Sequence, residues 1–134
     1  MTALATSFRQ TSLLRFALRL DAVVSGAVGV AYLVAPGPLE DLLGVSSGTL
    51  LGIGAFMVAY AAAVWFVSLA EAPNRLAVRV IIVGNTGWML ASLVLAALDW
   101  ATPTTAGTVW IVLQALTVGG FAALQAAGLR RTEA

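Results

Sequence analysis

The sequence predicts an all-α, polytopic membrane protein: an antiparallel four-helix transmembrane bundle with both termini in the cytoplasm. Two observations carry that reading. Four apolar runs, about residues 14–35, 48–70, 76–98 and 106–128, each approach the ~20 residues a helix needs to cross a bilayer. All seven basic residues are Arg, and an up-and-down fold gathers them on one side. Arg9, Arg15 and Arg19 precede or open the first run, Arg75 and Arg79 separate the second from the third, and Arg130 and Arg131 follow the fourth. The other two connections carry only acids, Glu40 and Asp41 and then Asp99. Positive charge marks the cytoplasmic side.

Each element has a local reason. Residues 1–12 are small and polar and read as frayed at their start, with Phe8, Leu14 and Phe16 in the headgroup zone. Arg15 and Arg19 stand one turn apart and extend their heads toward the cytoplasmic phosphates. A weak small-x-small match at Ala27-Val28-Gly29 raises a cleaved signal peptide, but the stretch is long, and cleavage strands three Arg; helix 1 is expected to be retained. Pro36-Gly37-Pro38 ends helix 1, because Pro cannot continue a helix. Residues 38–44 read as one short amphipathic turn on the outer surface, closed by Gly44. Ser46-Ser47-Gly48 leads into helix 2, Pro73-Asn74 is the tight cytoplasmic turn, and Asp99 to Thr104 forms the outer turn into helix 4. Short loops force antiparallel neighbours. The four spans consume roughly 90 residues, so one membrane domain covers 1–134.

Composition excludes much chemistry. Cys and His are both absent, which removes disulfides, thiolate chemistry, the commonest metal ligands and the usual general base. No metal site and no cofactor is expected. With no Lys, no His and no paired carboxylates, nothing activates a Ser or Thr, so the reading leans away from an enzyme. A net charge of +1 leaves no nucleic-acid footprint. Arg without Lys, alongside abundant Ala, Val, Leu and Gly, matches a GC-rich bacterial genome and places the chain in a bacterial plasma (inner) membrane.

Small residues recur at four-residue spacing: Ala22-Gly26 and Ser25-Gly29, Gly48-Gly52 and Ala55-Ala59-Ala63, then Ala115-Gly119-Ala123-Ala127. Such stripes let helix backbones approach closely, within the chain or against another protomer. Trp65, Trp100 and Trp110 read as belt residues at the interfaces, while Tyr60 suits a position within the bundle. An offset of 60 aligns Arg15-Phe-Ala-Leu-Arg19 with Arg75-Leu-Ala-Val-Arg79 and Ser25 with Asn85. Either the two halves are a duplicated hairpin, or any Arg-flanked helix entrance looks this way.

The candidate site residues lie inside the spans. Asn85 and Gln114 approach the bilayer midplane on helices 3 and 4, and a mid-membrane amide needs a protein partner; on sequential antiparallel helices the two could meet directly. Asn85, Trp88 and Ser92 share one helix face. Together with Gln114 they form either the polar end of a buried amphiphile site or a register-setting hydrogen bond. Asp21 is the only acid inside a span, and its expected partner is Arg79 across helices 1 and 3; the alternative is an ion path from Asp21 toward Tyr32. Arg15, Arg19, Arg75, Arg79, Arg130 and Arg131 make a basic rim suited to anionic lipid headgroups, worth about 1 kcal/mol each near the surface.

Ser25 to Tyr32, then Ala35-Pro-Gly-Pro-Leu-Glu-Asp-Leu-Leu-Gly44, then the Gly-rich Leu51 to Tyr60, together resemble small four-span bacterial membrane proteins of the DoxX-like kind. The resemblance covers roughly the first half of the chain. It implies a helix, a Pro-bearing outer turn and a Gly-rich helix, and it carries over no catalytic or ligand residue. Some such proteins serve as accessory membrane subunits.

Three functions are consistent with these residues. One is a non-enzymatic assembly or accessory subunit that packs with itself or a membrane partner. Another is a binding protein for a lipid or isoprenoid, and the last is a small transporter or channel.

Overall fold

A computed structural model describes residues 2–98 and 103–133 of the chain. Asp99 and Trp100, and the side chains of Phe8 and Arg9, lie outside what it describes. The described chain is all-helical, in the order α1 (Thr2–Val34), α2 (Pro36–Leu43), α3 (Ser47–Ser68), α4 (Arg75–Ala97) and α5 (Thr105–Glu133). Four of these are long and apolar enough to cross a membrane; α2 is the short amphipathic turn.

The helix boundaries follow capping chemistry. Pro36 opens α2 at its first turn, where its missing N–H costs nothing. Gly44 caps α2 with φ +72°, a left-handed conformation that glycine adopts without steric cost. Ser46 Oγ accepts from Thr49 N at 3.2 Å, and Asn74 Oδ1 accepts from Ala77 N at 3.0 Å, so α3 and α4 each begin on a side-chain cap.

Two boundaries differ from the sequence reading. Helix α1 starts at Thr2 rather than near residue 14, and α5 runs to Glu133 rather than 128. Residues 2–13 contain neither Gly nor Pro, so nothing in them stops a helix. The two helices pack together near these ends: Leu14 and Leu129 share a buried cluster, and a Cβ on Gly128 would lie 2.7 Å from the Leu14 backbone. With the apolar part of α1 running Thr11–Val34, Asp21 falls in its middle third.

The four long helices form an arc. Helix α1 packs along α3 and α5, and α5 packs along α4. Helices α3 and α4 are consecutive and joined by a short turn, yet their backbones come close at few points and side chains span the space between them. The α1–α3 crossing is tight because Gly29 and Gly54 face one another. A Cβ on either would lie 2.9–3.0 Å from the other's carbonyl oxygen. The Ser25-Gly29 stripe therefore serves packing within the chain, whereas Gly48 and Gly52 face open space.

The core occupies the arginine end, where Leu14, Leu18, Ala22, Val64, Val78, Ile81 and Leu129 cluster. The arginines there close helix ends. Arg15 Nε and Arg19 Nη2 both donate to Ser68 O at 3.4 Å, at the last residue of α3. Arg75 Nη2 donates to Thr132 O at 3.3 Å, near the end of α5. These bonds satisfy carbonyls that a helix leaves unpaired and set positive charge at the negative dipole end. Arg19 also lies 5.7 Å from the Trp65 ring centre, a cation–π arrangement.

Candidate binding cleft between α3 and α4

The arc leaves a lateral opening whose floor is α1 and α5 and whose walls are α3 and α4. Two cavities occupy it. One, of about 650 Å³, lies along the α3–α4 gap and includes Tyr60, Gly84, Asn85 and Trp88. The other, of about 310 Å³, lies toward the α2 end and includes Tyr32, Ser92, Trp110 and Gln114. Ser25, Met57, Trp88 and Val118 line both, so the two adjoin. Both are predominantly apolar with a few convergent polar groups, and their sizes fall within the range of small-molecule sites.

At the base of the opening sits a buried polar cluster drawn from all four long helices. Asp21 is fully buried. Ser25 Oγ donates to its Oδ1 at 2.8 Å. Its Oδ2 receives Tyr60 Oη at 2.7 Å, Asn85 Nδ2 at 3.0 Å and Gln125 Nε2 at 2.9 Å. Asn85 Nδ2 also donates to Gln125 Oε1 at 3.0 Å. The Tyr60 hydroxyl lies within 2.8 Å of Asn85 Oδ1 as well, so one hydrogen serves two acceptors. Such a network suits the membrane interior, because an unpaired polar group there has no water to turn to. One carboxylate thus ties α1 to α3, α4 and α5.

The cluster changes two of the sequence expectations. Asp21 takes its hydrogen bonds from Ser25, Tyr60, Asn85 and Gln125, while Arg79 is exposed on α4. Asn85 and Gln114 do not pair with each other. Asn85 belongs to the Asp21 cluster; Gln114 Oε1 accepts from Trp88 Nε1 at 2.8 Å, and its Nε2 donates to Ile111 O at 2.8 Å. The reason is register. Gln125, three turns farther along α5, is the amide level with Asn85, so Gln114 lies nearer the α2 end. Gln125 is a site residue that the sequence reading does not name, although it lies inside the fourth apolar run.

Trp88 lines both cavities, and Ser92 and Gln114 line the smaller one. Phe56 of α3 stacks between Tyr60 and Trp88, with ring centres 6.3 Å and 6.2 Å away, and is the aromatic bridge across the gap. Trp110 is a cavity residue and not simply a belt residue: its Nε1 donates to Tyr32 Oη at 2.7 Å.

The α2 end is closed by close backbone contact. Thr104 N donates to Leu43 O at 3.1 Å, Thr104 Oγ1 donates to Leu42 O at 2.7 Å, and Gly107 packs directly on the Leu43 carbonyl. Leu43 and Val45 thereby roof the smaller cavity. Among the described residues no group of His, Cys, Asp and Glu is arranged to hold a metal ion. No protein-family model matches the chain, and no curated protein or solved structure matches it either.

Proposed function

We propose that this chain is a membrane-embedded, non-enzymatic binding protein for a lipid or isoprenoid. The apolar chain of the ligand lies between α3 and α4, and its polar end meets the wall of Trp88, Ser92 and Gln114. The observation that carries this reading is the separation of two consecutive helices around adjoining cavities lined on both sides by apolar side chains. Such a gap in a lipid-bathed bundle forfeits packing, and an apolar occupant restores it. The proposal includes a bacterial plasma membrane, with both termini and the arginine rim in the cytoplasm. Anionic headgroups would contact the arginine rim, chiefly the outward-facing Arg130 and Arg131, since Arg15, Arg19 and Arg75 also hold helix ends.

Gly84 provides the test. It lines the larger cavity, and a Cβ added there meets nothing within 4 Å. Gly84→Phe should fill the cleft without disturbing the fold. Native mass spectrometry of wild-type protein extracted gently from its membrane should show one lipid-sized mass per chain. The Gly84→Phe protein should lose at least about nine-tenths of it while unfolding at an unchanged temperature. Equal retention by both proteins would sink the cleft as the binding site.

A second reading, an accessory subunit that packs against itself or another membrane protein, draws on the open faces at Gly48 and Gly52. A bare homo-oligomer or a co-purifying protein in the same spectrum, lost on Gly52→Leu, would favour it.

A further inference from the structure

We infer that the cavity at the α2 end receives an uncharged, oxygen-accepting group, a carbonyl, ester or ether, at the end of one apolar chain. This rests on the binding reading above and specifies its ligand. The argument is an account of hydrogen-bond donors and acceptors. No Arg, Asp or Glu lines this cavity. Two of its acceptors are each engaged once: Gln114 Oε1 takes Trp88 Nε1, and Tyr32 Oη takes Trp110 Nε1. Its donors are not all engaged. Tyr32 keeps its own hydroxyl hydrogen, which has no acceptor among the described residues. Ser92 is only 9% exposed, and its hydroxyl has no hydrogen-bond partner among them. Gln114 Nε2 donates to Ile111 O and has a second hydrogen to give.

Unspent donors that open into an apolar cavity suit a ligand that brings acceptors, since a hydroxyl covered by an apolar ligand without a partner costs free energy. A carbonyl or ether oxygen supplies acceptors and demands no donor's partner in return. A carboxylate or phosphate would shed its hydration facing no cation, and an ammonium would face no anion. The two adjoining volumes, about 310 and 650 Å³, suit one chain rather than a two-chain phospholipid. The headgroup class is therefore neutral, and the arginine rim plays no part in selecting it.

The intact chain in detergent, offered equal amounts of methyl oleate, oleate and octadecene, tests this by native mass spectrometry. These probes share a chain length and differ in end group: neutral acceptor, anion, or neither. Methyl oleate should be held at one copy per chain, about fivefold or more above each of the others. Tyr32→Phe and Ser92→Ala should each reduce that retention about fivefold, the equivalent of one hydrogen bond near 1 kcal/mol. Ser92→Ala removes a hydroxyl that bonds nothing in the fold, so its effect is free of unfolding. Octadecene or oleate bound as well as methyl oleate, or no loss in Ser92→Ala, would overturn the headgroup assignment and leave the cleft reading standing. Retention of none of the three would overturn both.

Discussion

Asp21→Leu is expected to destabilise the bundle more than any other single polar substitution, by about 2–4 kcal/mol. The leucine has nearly the same reach but no acceptor. Three donors from three different helices, Tyr60, Asn85 and Gln125, would then converge on hydrocarbon. Asp21→Asn is expected to behave differently. With its carbonyl in place of Oδ2, asparagine still accepts from Tyr60, Asn85 and Gln125. Its amide can donate to Ser25, whose hydroxyl then accepts instead of donating. That variant should lie within about 1 kcal/mol of wild type. Thermal unfolding in detergent, followed by circular dichroism, separates the two. If Asp21→Leu and Asp21→Asn fall equally, the carboxylate contributes through its charge and not through hydrogen bonding.

Gly54→Val should cost about 3 kcal/mol and separate α1 from α3. A Cβ at Gly54 meets Gly29 O and Tyr32 Cβ at 2.9 Å, and the first of these is backbone that cannot rotate away. The same displacement would pull Tyr60, two turns along α3, out of reach of Asp21. The expected signature is a lower unfolding temperature together with faster hydrogen exchange on both helices. Gly120→Val, on a site where an added Cβ meets nothing within 4 Å, is the matched control and should leave stability within about 0.5 kcal/mol. Equal losses at the two positions would mean the α1–α3 crossing is not held by close backbone approach.

Much of this architecture was legible in the residues themselves. The apolar runs fixed the number of spans because a bilayer tolerates no shorter crossing. Pro36, Gly44, Ser46 and Asn74 marked turns and caps because each acts on its own few residues of backbone. The packing of the α1 and α5 ends was not legible, since it brings Gly128 against Leu14, 114 positions apart in sequence. The open side of the arc was hidden for the same reason: a short Pro73-Asn74 turn brings α3 and α4 to one end but does not oblige them to pack along their length. Sequence periodicity placed Asn85, Trp88 and Ser92 on one face, and the structure sets all three among the groups lining the cleft. It could not choose between Gln114 and Gln125 as the partner of Asn85, because that choice turns on the relative slide of two antiparallel helices. Asp21 was recognisable as unusual from its type alone, whereas its partners come from three other helices and leave no shared local pattern.

The cleft is tested most directly by photo-crosslinking in the membrane with a diazirine-bearing analogue of methyl oleate, followed by peptide mapping. Adducts should concentrate on Met57, Trp88 and Val118, which line both cavities, and excess unlabelled methyl oleate should compete them away. Adducts spread evenly over outward-facing residues such as Phe16, Phe66, Val83 and Leu116, and insensitive to competitor, would contradict a binding cleft between α3 and α4.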